Sequence, residues 1–186
     1  MTLFNNSSEE WQRLDWQILR DGGISLYWRP EYLAEDVNWL AAKGYDIYEF
    51  DCERWNSETD MYSDFERVLR FSEWWGSKWG QNLNALDDCL GDLPIRNDGG
   101  VALVFHRFNA FETGSGSAPM PNGRTFAADL LDVLAATCRF HLLNGKRFVT
   151  LVQTENHNYR VQSLGAVSTS WNRREWLNAN REPGSR

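Results

Sequence analysis

The sequence predicts an α/β fold, a small parallel sheet flanked by helices, on three observations. The run Val101 to Phe108 (VALVFHRF) is almost continuously apolar, the pattern of a strand buried on both faces. From Tyr45 to Thr154 the periodicities read strand, helix, helix, strand, helix, strand, and strands joined through helices favour parallel pairing with right-handed crossovers. The length of 186 residues and the hydrophobic fraction of 42% suit one domain with a sizeable core.

Taken in order, Trp16–Leu19 and Ile24–Trp28 flank Asp21-Gly22-Gly23 and read as a hairpin or two short strands. A helix begins at Arg29-Pro30, with Pro at its first position, turns Leu33, Val37 and Leu40 inward and stops at Lys43-Gly44. Tyr45–Cys52 alternates as a strand. Ser57-Glu-Thr-Asp60 is a capping-box-like start for a helix with Met61, Phe65, Val68, Leu69 and Ser72 on one face. The Gly/Ser/Pro-rich stretch Thr113–Gly123 reads as a long loop within the domain. Thr125 opens a long helix through Leu143, with Phe126, Leu130, Leu131, Leu134 and Cys138 on its apolar side and Asn144-Gly145 as its stop. Phe148–Thr154 is a strand, Tyr159–Ala166 a further candidate strand, and Trp171–Asn178 a candidate short helix.

Net charge is −7 and the pI is near 5.0, which argues against nucleic acid, whose phosphates need a Lys/Arg footprint, and suits a basic protein partner. Cys52, Cys89 and Cys138 are an odd number without a CxxC pair, so each is expected to be a small buried hydrophobe in a reducing compartment. The opening residues have neither the basic nor the apolar region of a signal peptide, and no apolar run approaches a membrane span, so a cytoplasmic location is expected.

The segment Trp79-Gly-Gln-Asn-Leu-Asn-Ala-Leu-Asp-Asp-Cys-Leu90 carries the functional signal. With Leu83 at zero on a helical wheel, Ala85, Leu86, Cys89 and Leu90 fall on one half and Asn84, Asp87 and Asp88 on the other, with Gln81 just before the helix on the polar side. Asn82 or Gly80 stands where a cap belongs. No Lys or Arg lies at the spacing that would neutralise Asp87 and Asp88 along the helix, so the polar face is a negative patch open to a partner.

This segment resembles the active-site-blocking helix of the barstar family of ribonuclease inhibitors, through its aromatic Trp79 and Gly80, Asn82, Leu83, Ala85, Leu86, Asp88, Cys89 and Leu90. The resemblance extends over about Tyr45–Thr154 and implies one barstar-like domain, 1–186, with a core at 45–154 and extensions at 1–44 and 155–186. It implies an immunity protein of the bacterial cytoplasm, not an enzyme, needing no cofactor or metal. Such a protein binds a basic ribonuclease toxin one-to-one, and its carboxylate takes the place of an RNA phosphate. By the same resemblance Asp88 is the central inhibitory residue, Asn82 a cap and contact, and Trp79 and Gly80 the approach to the helix; Gln81 joins the candidate contacts from its place on the polar side. Gly80 is expected to allow a close approach or a special backbone angle. The sequence departs from the family at Asn84, where a second Asp is common. It departs also at Asp87 and Leu93, at or near Trp positions, and at Lys78, an aromatic position. These four complete the candidate contact set. Ala135 and Ala136 fall near a further acidic contact of the family.

Two other readings compete. Glu49, Asp51 and Glu155 lie near strand ends, where α/β sites form, and Asp51 or Glu49 with His106 could serve a small hydrolase, although no nucleophile elbow, P-loop or GxGxxG accompanies them. His106, His141 and His157 lack metal-ligand spacing. The third reading is a general protein-binding module whose N-terminal extension makes the contact. Trp74 and Trp75 are expected to divide between core and interface.

Overall fold

The computed structural model describes residues 11–75, 79–161, 164 and 169–182. Helix α1 (Leu14–Arg20) precedes strand β1 (Ile24–Tyr27), helix α2 (Pro30–Ala42) and strand β2 (Tyr45–Asp51). Helices α3 (Glu58–Leu69), α4 (Phe71–Trp75) and α5 (Leu83–Gly91) then lead to β3 (Gly100–His106). Helices α6 (Phe108–Thr113) and α7 (Phe126–Leu143), strand β4 (Phe148–Gln153) and the two-residue β5 (Ser170–Trp171) follow.

The strands form one sheet in the order β2-β3-β4-β1-β5, and every pairing is parallel. Parallel neighbours need crossovers long enough to hold helices, which places helices on both faces. On one face, Val101, Leu103 and Phe105 join the core beneath α3, α5 and α7; on the other, Ala102 and Val104 join Tyr45, Val149 and Leu151 beneath α1 and α2. This period-2 split of a single apolar run explains why β3 is buried along almost its whole length.

The helix starts follow local chemistry. Ser57 Oγ accepts from the Asp60 amide at 3.1 Å and Thr125 Oγ1 from Ala128 at 3.2 Å, while Pro30 opens α2. All three cysteines are free and buried. No helix among the described residues is long and apolar enough to cross a membrane.

Several elements differ from their sequence reading. Trp16–Leu19 is helix, not strand. Leu14 and Ile18 are four residues apart and pack on the α1–α2 side of the sheet, and buried Asp15 is held by Arg13 (2.6 Å), Tyr45 Oη (2.9 Å) and Arg147 (3.5 Å). Burial pushes the Asp15 carboxyl up, but the Arg13 and Tyr45 hydrogen bonds hold it below the usual carboxylate range. Phe108 starts α6 instead of ending β3, after Arg107 takes a left-handed φ of 52°. The Thr113–Gly123 loop carries a 3-10 turn at Ser115–Ser117. Tyr159–Val161 is not strand, and the remainder of that candidate lies mostly outside the described residues. Instead Ser170–Trp171 pairs with β1, and Trp171–Asn178 is strand and 3-10 turns, not a helix, because Glu175 turns back onto β1.

Gly23 joins α1 to β1 with φ +84°, and a Cβ there would lie 2.4 Å from Cys138 Cβ on α7. A left-handed backbone and a clash with a fixed β-carbon act together, so Gly23→Ala is expected to cost about 2–4 kcal/mol, read as a lower denaturant midpoint with unchanged m-value.

Candidate protein-binding site

Helix α5 has nine residues, too few to be stable in isolation, so cap and packing must fix it. Asn82 lies in extended backbone (φ −150°), and its Oδ1 accepts from the Ala85 amide at 2.9 Å. Leu86, Cys89 and Leu90 are fully buried against α7 and the sheet. At the far end, His141 Nε2 of α7 donates to the Leu90 carbonyl at 2.8 Å, which fixes the tautomer. Burial pushes this imidazole below its ordinary pKa, so it is neutral at pH 7.

The structure sorts the sequence-chosen residues into three groups. Gln81, Asn82, Asn84, Asp87 and Asp88 are exposed on or beside the outer face of α5. Trp79 and Leu93 are 6% exposed; Trp79 packs edge-on against Tyr62 and Phe71, so both support the helix from beneath and offer little contact area. Lys78 lies outside the described residues. Gly80 is exposed, its φ lies outside the left-handed range, and a Cβ there would come no closer than 3.4 Å to Asn82 Nδ2; neither the close approach nor the special angle expected of it is required. Trp74 is half-buried and stacks on the more exposed Trp75 at 6.2 Å.

Among the described residues, no ion pair reaches Asp87, Asp88 or Asp92. Burial first, then the neighbouring Asp88 charge, pushes the Asp87 carboxyl above its ordinary value, while a hydrogen bond with Thr137 on α7 opposes the shift. Of the companions of this face, Trp75 is one of the two tryptophans expected to divide between core and interface, whereas Phe140 and Asp92 escape sequence reasoning. A groove of about 480 Å³ runs between α5 and α7, lined by Asp87, Asp88 and Asp92 and by the exposed aromatics Trp75 and Phe140. The signal was present in the apolar side of α7: Phe140 falls off the Leu130–Leu134–Cys138 stripe.

The rival strand-end cluster is real in geometry but poor in chemistry. His106 Nε2 lies 2.7 Å from Glu49 Oε2 on the adjacent strand, while Asp51 is engaged by Arg107 and Arg54. The nearby Cys52 thiol is buried and pushed well above its ordinary pKa, first by burial and then by Asp51, which removes the thiolate a nucleophile needs. No group of three or more His, Cys, Asp or Glu side chains among the described residues could hold a metal ion.

The raised Asp87 pKa means that the fold holds this proton more tightly than the unfolded chain does. The group favours folding most below the ordinary carboxylate range, and that contribution is lost as pH rises through the raised value. Asp88→Asn is expected to lower the Asp87 midpoint and Thr137→Val to raise it, both read by carboxyl NMR titration. Unmoved midpoints in both variants would refute the coupling.

The family profile described as Barstar (barnase inhibitor) matches residues 45–153, from the first residue of β2 to the last of β4. A search of curated proteins finds no match. The matched stretch contains all of α5, its Asn82 cap and His141, and it spans more than half of the 186 residues; the chain belongs to the barstar family.

Proposed function

We propose that this protein is an immunity protein that binds a basic ribonuclease one-to-one and blocks its active site with the outer face of α5, Asp88 at the centre. The observation that carries the reading is the pair of exposed carboxylates, Asp87 and Asp88, without a cation partner among the described residues, on a helix capped by Asn82 and held by His141. A carboxylate accepts from guanidinium in the forked, charge-assisted geometry that phosphate uses, so a rigid acidic face fits a cleft built for RNA. The net charge of −7 favours encounter with a basic enzyme and disfavours RNA itself. Asn84 and Gln81 extend the polar face beside Asp88, and membership of a family of inhibitors supports a non-catalytic role in the cytoplasm of a bacterium.

The test is affinity capture from a lysate of the native host, with wild type and Asp88→Ala side by side and ribonuclease activity measured before and after release. Wild type is expected to retain a basic protein whose activity appears on release. Asp88→Ala is expected to fold normally and to lose about 2–5 kcal/mol of binding, roughly 30- to several-thousand-fold, because the partner's cations are left buried and unpaired. Equal capture by both proteins, or capture without nuclease activity, would sink the reading. Association with the captured enzyme is expected to slow as salt is raised from about 0.01 to 0.15 M, where the screening length falls from about 30 to 8 Å; a salt-independent on-rate would exclude steering by this face.

A further inference from the structure

The last turn of α5 is held by a group that can change its charge. His141 lies buried on α7, its ring stacked on Phe148 of β4 at 5.3 Å and 16° and its Nε2–H donating to the Leu90 carbonyl at 2.8 Å. The other ring nitrogen, Nδ1, takes the proton in acid, and the ring then carries a full charge inside an apolar layer. The charge that faces it comes from Lys146, just past the end of α7, whose Nζ is anchored on the Ile95 carbonyl and on Asn97 and whose amide donates to the His141 carbonyl at 2.8 Å. From β4 it meets the neutral Phe148, while Arg147 beside that strand turns to Asp15 and the Asp98 carbonyl. From α5 it meets the Leu90 carbonyl; Asp87, Asp88 and Asp92 are exposed on or beside that helix, and none of them offsets the Lys146 charge at the ring. Burial is the largest influence on the imidazole and pushes its pKa down; the Leu90 hydrogen bond opposes the shift and Lys146 adds to it.

A buried cation without a carboxylate is relieved by letting water in. Opening the contact between α7 and the last turn of α5 does this, and it frees a helix of nine residues that has little stability of its own. We propose that His141 is a proton-operated catch: the neutral ring holds α5 in its binding register, and protonation frees the last turn, so that a nuclease bound to α5 is let go in acid. The inference rests on the reading of the outer face of α5 as the nuclease site, and it adds the regulation of that site. The ring takes up a proton more readily when the last turn is open than when it is closed. The hold is therefore complete above the ordinary histidine value of about 6.5 and is lost as pH falls below it towards the lowered value. A basic enzyme docked on α5 brings further positive charge towards the ring and opposes its protonation; by reciprocity, protonation opposes docking. One coupled proton changes affinity by at most about tenfold per pH unit. His141 is thus a positioning residue with two states, acting on the partner only through α5.

Two measurements on the full chain test this, with His141→Gln as the comparison, since glutamine keeps an amide N–H donor and does not titrate. First, the His141 ring and the amides of residues 88–92 are followed by NMR from about pH 7.5 to 5. In wild type the ring is expected to titrate below the ordinary histidine range, and protection of those amides against hydrogen exchange to fall as the ring takes up its proton; in His141→Gln that protection stays level. Second, the ribonuclease captured by wild type is titrated with both proteins at about pH 7.5 and 5.5, and wild type is expected to lose about three- to tenfold more affinity in acid than His141→Gln. Groups other than His141 titrate in both comparisons and cancel in the ratio. A ring midpoint at or above the ordinary range, protection that does not change with ring protonation, or the same acid loss in both proteins would each overturn the proposal. If those outcomes occur while Asp88→Ala still loses the captured nuclease, the helix-face reading stands without the catch. If protection falls with ring protonation while Asp88→Ala captures normally, the catch stands as a property of the fold without the inhibitor reading.

Discussion

The packing of α5 against α7 is the constraint on which the acidic face depends. Leu86, Cys89 and Leu90 bury the inner face of α5, but hydrophobic contact is non-directional and would tolerate rotation of so short a helix. The hydrogen bond from His141 to the Leu90 carbonyl supplies the missing direction. His141 is itself fixed, stacked on Phe148 of β4 at 5.3 Å and 4% exposed. The chain of contact therefore runs from the sheet through one imidazole to the last turn of α5, while Asn82 holds the first. The backbone that carries the outer face is thereby held at both ends.

Charges elsewhere in the protein are arranged differently. Asp15, Asp36 and Glu175 are buried or partly buried, and each accepts several hydrogen bonds: Asp36 from Tyr27 at 2.7 Å and Arg174 at 2.7 Å, Glu175 from the backbone of Trp28 and Arg29. These acids hold the parts of the chain outside the family match to the sheet. At the strand ends Arg107 serves Asp51 and Glu53 together. Asp87 and Asp88 on α5 and Asp92 just after it have no ion-pair partner among the described residues.

Much of this was legible in the sequence because it rests on local rules. The apolar run of β3, the Ser57, Asn82 and Thr125 caps, and the division of α5 into Leu86–Cys89–Leu90 and Asn84–Asp87–Asp88 follow from period and side-chain chemistry. What escaped depends on residues distant in sequence. Trp16–Leu19 satisfies strand and helix patterns equally, and the choice is made by Asp15 meeting Arg147, 132 residues away. The edge strand at Ser170–Trp171 is two residues long and has no pattern to read; it exists because β1 offers a free edge. Trp79 and Leu93 read as contacts by analogy of position, yet a large apolar side chain beside a short helix is worth more as its floor. The groove was invisible for the same reason, since Phe140 and Asp92 become neighbours only when α7 lies on α5.

The C-terminal strap has a consequence for the chain's solubility. An open parallel sheet ends in strands whose amides and carbonyls can recruit another chain. On the β1 side that edge is closed by β5, by Asn172, whose amide and side chain both donate to the Leu26 carbonyl, and by the Glu175 carboxylate, which accepts from Trp28 and Arg29. Arg181 locks the strap in turn through the His157 carbonyl and the face of Trp171. The last stretch of chain thus works as a selvedge, stopping the sheet from growing outward. Without it, the hydrogen-bonding groups that make β1 a good internal strand would make it a template for aggregation.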